Sequence, residues 1–454
     1  MQHSEERLAS EPVGKLLWNL AIPAITAQLV NVLYNMVDRM YIGHIPGEGA
    51  AALTGVGVTM PVIMLVSAFA ALSSMGGAPR ASIMMGRGRK EEAERILGNC
   101  AAALAVMALV LTAAILALGR PMLLAFGASQ DTIGYAWQYL SIYAIGTIAV
   151  QISLGLNAFI TAQGFSRVSM LTVLIGAVCN IVLDPLFIFA LHMGVRGAAL
   201  ATILSQTISA LWVLSFLRGQ RTKLRLRAGN MRIDPKVYLP CVALGLSPFV
   251  MQFTESILSV SFNASLARYG GDLAVGSMTI LSSVMQFSLM PLHGLTQGAQ
   301  PIISYNFGAE NKARVKACFR VLLISCFGYS MALWALAMLA PGMFASLFTT
   351  DEALKAATVH ALRIYMASTG LFGIQIACQQ TFIAIGNAKT SLFLALLRKV
   401  FLLIPLIFIL PLFLPNKVDA VLLAEPISDL VAVSVTSLLF WRSFRAYLKD
   451  GEVR

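Results

Sequence analysis

Residues 79–93 read PRASIMMGRGRKEEA and residues 301–315 read PIISYNFGAENKARV. Pro79 falls on Pro301, Ser82 on Ser304 and Gly86 on Gly308, each with an offset of 222. The same offset carries Tyr143 onto Tyr365 and the turn QGFSRVS, 163–169, onto IGNAKTS, 385–391. Earlier in the chain it becomes 225, placing Pro23 on Pro248 and Asp38 on Asn263, so the first half holds three extra residues in its first outer loop. One unit is written twice, and that repeat governs every later reading of the chain.

The 454 residues are 58% hydrophobic and only 12% charged, with a mean hydropathy of +0.77. Such a chain cannot cover itself with a polar surface and is read as an integral membrane protein. Apolar runs of spanning length begin with LLWNLAIPAITAQLVNVLYN at 16–35; twelve start near residues 15, 51, 96, 132, 168, 196, 238, 273, 318, 354, 390 and 418. Each is long enough to cross about 30 Å of hydrocarbon as a helix. RGQRTKLRLRAGNMRIDPK, 218–236, separates the sixth run from the seventh. The expected order is an N-terminal segment 1–14, an N-lobe 15–217, a basic linker 218–236, a C-lobe 237–442 and a tail 443–454. Six spans per half is an even number, so both halves enter from one side. This predicts an all-α protein of twelve transmembrane helices in two six-helix lobes related by a pseudo-two-fold axis along the membrane normal. A cleft between two such lobes suits alternating access.

The net charge of +12 follows topology. Arg87, Arg89, Lys90 and Arg95 share a side with Arg167, with the basic residues of the linker, with Lys312, Arg314, Lys316 and Arg320, with Lys389, and with Arg442, Arg445 and Lys449. Opposite loops hold only Arg120, Arg196, Arg268, Lys355 and Lys417. The positive-inside rule makes both termini cytoplasmic. No small-residue cleavage site follows the first run, so that span is expected to stay. Nucleic acid is excluded as a partner, because no folded basic surface with groove-reaching elements is present. Six cysteines without a CxxC pair read as buried small hydrophobes, and five scattered histidines lack metal-ligand spacing.

Two spans carry acids. Gln28, Asn31, Asn35 and Asp38 follow steps of three, four and three in the first span and share one helix face, a poor surface for lipid. In NIVLDP, 180–185, Asn180 and Asp184 stand one turn apart and can address the same ligand. Pro185 removes a helical donor and frees the carbonyl of Ile181. Carboxylate, amide and carbonyl form an all-oxygen set suited to a small hard cation, or to a carboxyl kept neutral by burial. A carboxylate at a span's centre costs about 2.5–3.5 kcal/mol on insertion scales, which makes it a functional-site candidate.

VDRMYIG at 37–43, the GAP and GAQP segments at 77–79 and 298–301, YNFGAENKARV at 305–315 and NIVLDP at 180–185 together resemble the multidrug and toxic compound extrusion (MATE) family. The resemblance spans nearly the whole chain, with its length, linker and repeat. It implies twelve helices in two lobes and export of organic, often cationic, compounds in exchange for H+ or Na+. It further implies no catalytic residue and no cofactor beyond the coupling ion. The expected setting is a monomer in a bacterial cytoplasmic (inner) membrane, with small molecules and the bilayer as partners. The family's N-lobe cavity uses an acid of span one with the Asn and Asp of span five, matched by Asp38, Asn180 and Asp184. Asn157 and Thr202 match further members, and Na+ would be held by Asp38, Asn180, Asp184 and Thr202. Gln28, Asn31, Asn35, Glu255 and Asn263 are the candidates for the substrate cavity; some relatives place a functional acid in span seven near Glu255.

The second lobe does not copy this chemistry. Asn263 replaces the first acid and Leu406 stands where Asp184 would fall. Instead Arg398 and Lys399 lie in span eleven, and Glu425 and Asp429 lie one turn apart in span twelve, read as a structural charge network. Lys399 has the option of snorkelling, whereas Arg398 is expected to pair with Glu425 or Asp429. A lipid-linked oligosaccharide flippase would need basic residues in the first lobe for pyrophosphate. An ATP-driven pump would need GxxxxGK[ST], and an intramembrane aspartyl protease a GxGD, and neither motif occurs.

Overall fold

A computed structural model describes residues 3–449. With no water in hydrocarbon to satisfy a backbone, helices are the expected solution, and the described residues form helices joined by turns, without a strand. The N-lobe follows a short α1 (His3–Ser10) and comprises α2 (Val13–Gly43), α3 (Gly49–Gly86), α4 (Lys90–Ala125), α5 (Ile133–Ile145), α6 (Thr147–Ala162), α7 (Ser166–Pro185) and α8 (Val195–Arg218). The C-lobe comprises α9 (Pro235–Gly308), α10 (Lys312–Leu339), a short α11 (Pro341–Phe348), α12 (Glu352–Tyr365), α13 (Thr369–Ala384), α14 (Ala388–Leu396), α15 (Ile404–Phe413) and α16 (Lys417–Lys449).

These elements make twelve passes. The 74-residue α9 is two of them, because the backbone reverses at Gly271 with φ 62° and ψ −157°, a conformation that glycine alone adopts readily. The fourth and tenth spans, each a single run in the sequence, are broken by 59° between α5 and α6 and by 49° between α12 and α13. The breaks are repeat-equivalent, at Gly146 and at Ser368. A side chain at Gly146 would meet Ile203 of α8, so the bend brings two helices into direct contact. α16 continues unbroken through Lys449, into the segment 443–454 expected as the tail, and residues 450–454 lie outside the described residues.

Lobe meets lobe along the side of the linker. A methyl on Gly86 would stand 2.9 Å from the Tyr305 carbonyl carbon and closer to its oxygen. A methyl on Gly308 would stand 2.8 Å from the Ile83 carbonyl carbon and closer to its oxygen. Gly86 with Gly308, and Ile83 with Tyr305, exchange under the 222 offset, so the seam is self-complementary like a two-fold dimer interface. Ser82 adds a hydrogen bond to the Pro301 carbonyl at 3.4 Å. Beyond the seam, Asn35, Met36 and Met40 of α2 and Ile257 and Val260 of α9 are exposed.

The linker is pinned to the N-lobe. Gln163 Oε1 accepts from the Thr222 hydroxyl at 3.0 Å and from the backbone N–H groups of Lys223 and Leu224 at 2.8 and 3.0 Å. Buried Glu94 accepts from the Arg225 N–H at 3.0 Å and pairs with Arg227 at 3.1 Å. Leu224 and Leu226 are buried in the N-lobe core.

Candidate functional site

Asp38 stands near the end of α2 and Asp184 one residue before α7 gives way at Pro185 to a π-helical turn, Leu186–Ala190. Such turns widen a helix and recur at functional sites. Asp184 is 0% exposed, Asn180 1% and Asp38 9%. The Asn180 amide donates to Asp184 Oδ1 at 3.4 Å, and the helices that carry the two acids, α2 and α7, pack against each other.

A small cavity of about 50 Å³ lies between α2, α6, α7 and α8; it is lined by Asn180, one helical turn from Asp184, and by neither Asp38 nor Asp184 themselves. Asn31, Asn157, Asn180 and Thr202 line it, together with Tyr34 and Gln206. At roughly 10–15 Å³ for each water it has room for a few waters or one partly hydrated cation. Four buried oxygens in this region have no protein partner: Asp38 Oδ1, Asp184 Oδ2, Asn180 Oδ1 and Asn157 Oδ1. A buried polar atom left unsatisfied costs about 1–3 kcal/mol. Carboxyl and amide oxygens left open in one region suit a proton or a small hard cation. Thr202 donates to the Ala198 carbonyl at 3.0 Å and lies 3.5 Å from the Tyr139 hydroxyl, and Asn157 donates to the Ser169 carbonyl at 3.3 Å.

Of the other candidates, Gln28, Asn35 and Asn263 do not line this cavity. Asn35 donates to the Asn31 carbonyl at 2.7 Å, Gln28 is half-buried and Asn263 is exposed. Sequence reasoning missed Tyr34, Ser153 and Gln206, the last two joined by a 2.6 Å hydrogen bond. The signal was present in α8, where Thr202, Ser205, Gln206 and Ser209 follow helical spacing.

The C-lobe charges form a second buried set. Residues Leu397–Leu403 are π-helical, and both Arg398 and Lys399 turn inward at 8% and 4% exposure. Arg398 donates to Asp429 at 2.7 Å and to Glu425 at 2.9 Å, and its guanidinium lies 4.5 Å from the centre of the Phe372 ring. The Ser368 hydroxyl donates to the other Asp429 oxygen at 3.2 Å. Lys399 does not snorkel; its ammonium pairs with Glu255 of α9. That partner lies 144 positions away, too far for a local pattern to announce it.

Comparison with known proteins accords with this architecture. A sequence profile of the MatE family matches residues 23–186 and again 248–409, one copy in each half. The multidrug export protein MepA of Staphylococcus haemolyticus is 25% identical over 425 residues, 93% of either chain. MepA of Staphylococcus aureus strain NCTC 8325 is 26% identical over 431 residues, 94% of either chain. Among solved structures, a MATE protein in a bent conformation superimposes with a TM-score of 0.93 at 22% identity over 100% of both chains. An outward-facing MATE family transporter gives 0.90 at 23% identity over 98% of this chain and 99% of that one. At those identities the structural likeness concerns the fold, whereas the doubled profile identifies the lineage. This chain is a member of the MATE family of membrane transporters.

Proposed function

We propose that this protein is a secondary active exporter of organic compounds, coupled to entry of H+ or Na+ through Asp38 and Asp184. The observation that carries the reading is the set of unpartnered buried oxygens on Asp38, Asp184, Asn180 and Asn157, the last two lining one small cavity and Asp184 standing one helical turn from Asn180. Binding a proton or Na+ there neutralises the acids, relieves the unsatisfied atoms and allows α2 and α7 to repack, which alternates access to the cleft between the lobes. Thr202 supplies a further oxygen. The MepA relatives, named as multidrug export proteins, support export of organic compounds, which we take to be cationic or amphipathic. The closed seam on the linker side corresponds to an outward-open state if the linker is cytoplasmic, as its basic residues favour. A monomer in a bacterial inner membrane, with both termini cytoplasmic, is the corresponding setting. The N-lobe cavity has no Arg or Lys in its lining, which disfavours pyrophosphate as cargo.

Proteoliposomes loaded with an imposed proton or sodium gradient test this reading. Asp184→Asn should reduce gradient-driven export of ethidium at least tenfold, and Asp38→Asn likewise, while both variants still exchange substrate across the membrane without a gradient. Full gradient-driven export by Asp184→Asn would overturn the mechanism.

A further inference from the structure

The N-lobe closes one flank of its core with the linker. Leu224 and Leu226 join one buried cluster with Leu97 of α4 and Leu156 of α6, and Glu94, one turn before Leu97, pairs with Arg227 at 3.1 Å. An apolar segment carrying positive charge is thus held by an apolar wall carrying negative charge. The offset of 222 places Glu94, Leu97 and Leu156 on Lys316, Phe319 and Cys378, so the acid at this position becomes a base in the C-lobe. The covering segment changes as well. α8 stops at Arg218 and the chain folds back, whereas α16 runs on through Lys449, the position equivalent to Arg227.

What the linker covers in one lobe is an open groove of about 380 Å³ in the other. Its walls are α10 and α16, both packed on α13, which forms the floor. Phe319 lies 4.3 Å from Phe440 and 5.4 Å from Phe444, ring centre to ring centre. Trp441 in the wall is 58% exposed and neighbouring Leu438 50%, an apolar rim that fits a surface facing lipid.

One end of the groove is basic. Lys312, Lys316, Phe319 and Leu323 follow steps of four, three and four along α10 and share one face. That face looks toward α16, since the Lys312 ammonium lies 4.9 Å from the centre of the Tyr447 ring and Phe319 stacks on Phe440. Lys316, between the two contacts, faces the same way, toward the end that Arg445 lines. The Arg445 guanidinium lies 5.1 Å from the centre of the Trp441 ring. Lys316 and Arg445 are both exposed, and among the described residues neither pairs with a carboxylate.

We propose that this groove binds one anionic phospholipid, which covers the C-lobe core as the linker covers that of the N-lobe. An acyl chain lies along the aromatic wall, and the phosphate meets Lys316 and Arg445. A zwitterionic headgroup fits less well, because its ammonium would face the same two cations. A second copy of the chain fits less well too, since it would bring its own basic linker side against this one.

Native mass spectrometry of the purified full-length protein, titrated with phosphatidylglycerol or with phosphatidylcholine of the same acyl chains, counts bound lipids. One phosphatidylglycerol should bind about tenfold more tightly than phosphatidylcholine. Lys316→Gln combined with Arg445→Gln should remove that preference, and both exposed positions tolerate the exchange. Ser437→Trp, which fills the groove and leaves its charges in place, should abolish the tight site. Arg268→Gln, an exposed cation in an opposite loop, should change nothing. In proteoliposomes, phosphatidylglycerol brominated on its acyl chains should quench tryptophan fluorescence more than brominated phosphatidylcholine at the same mole fraction, and Trp441→Phe should erase the difference. Equal affinity for the two lipids, a preference kept by the double variant, or an equal loss in Arg268→Gln overturns the proposal. So does a tight site that glycerol phosphate fills as well as the lipid does, or a protein dimer that Ser437→Trp breaks. Where Ser437→Trp does not fold, the double variant and Trp441→Phe decide.

Discussion

Alanine at Gly86 tests whether the linker-side seam must open during transport. Its methyl would lie 2.9 Å from the Tyr305 carbonyl carbon and 3.0 Å from the Ala309 nitrogen, both backbone atoms that cannot swing aside. Ordinary carbon contacts are about 3.5–4.0 Å, so α3 and α9 must part by roughly 1 Å at this crossing. Overpacking of this kind costs about 1–3 kcal/mol. That cost falls on the closed seam and vanishes once the lobes separate. The equilibrium therefore shifts toward the form open on the linker side by roughly 5- to 150-fold. Gly308→Ala should act alike, because its methyl meets Ile83 as that of Gly86 meets Tyr305. Parting the helices once relieves both clashes, so the double variant should shift less than the sum of the singles. Spin labels at the exposed repeat-equivalent positions Arg167 and Lys389, one in each lobe, report the separation by double electron–electron resonance. The expected result is a longer-distance population in both variants. Gly328→Ala, where a methyl meets nothing within 4 Å, serves as the control. Wild-type distance distributions in Gly86→Ala and Gly308→Ala, with the proteins folded, would refute the claim that these glycines set the closed state.

Elsewhere the structure predicts effects on stability and on local order. Gln163→Leu removes the acceptor for two linker N–H groups and one hydroxyl; limited trypsinolysis should cut between Arg218 and Arg227 several times faster, with the helical bundle intact. Asp429→Asn halves the carboxylate clamp on buried Arg398 and should destabilise the protein by about 3–5 kcal/mol, read as a lower unfolding midpoint in detergent. Thr202→Val keeps the volume of the N-lobe cavity but removes an oxygen, and should lower coupling-ion affinity several-fold in gradient titrations while substrate binding is unchanged.

The repeated stretches at 79–93 and 301–315 made the two lobes legible, because a doubled sequence needs no energetics to read. Hydropathy located the twelve passes, since a helix in lipid must satisfy its backbone within one long apolar segment. It could not show the breaks at Gly146 and Ser368, where bent halves remain equally apolar, nor the continuation of α16 to Lys449. Asp38, Asn157, Asn180, Asp184 and Thr202 were nameable from type, spacing and family resemblance, and the fold brings them to one region of the N-lobe. Tyr34 was not, because it is unremarkable on its own helix and becomes part of a site only through packing, whereas Gln206 belonged to a polar stripe on α8 that the spacing already carried. The Lys399–Glu255 pair depends on a π-helical turn that lets adjacent basic residues both face inward, a rotation that no pattern of 3.6 residues contains.

The first residues of the chain tie the two lobes together. Leu8 is 1% exposed and packs with the C-lobe core, and its carbonyl accepts from Asn306 and Arg314 at 3.0 Å each. Arg314 reaches the Glu11 carbonyl as well, at 2.8 Å. On the other flank Leu8 lies against Gly164, at the turn between α6 and α7. The chain then runs directly into α2 of the N-lobe. The linker shows the mirror arrangement: held by N-lobe residues, it leads into the first helix of the C-lobe. Each lobe therefore grips the segment that feeds the other, like two people holding each other's sleeves. Parting the lobes on this side would strain both holds together.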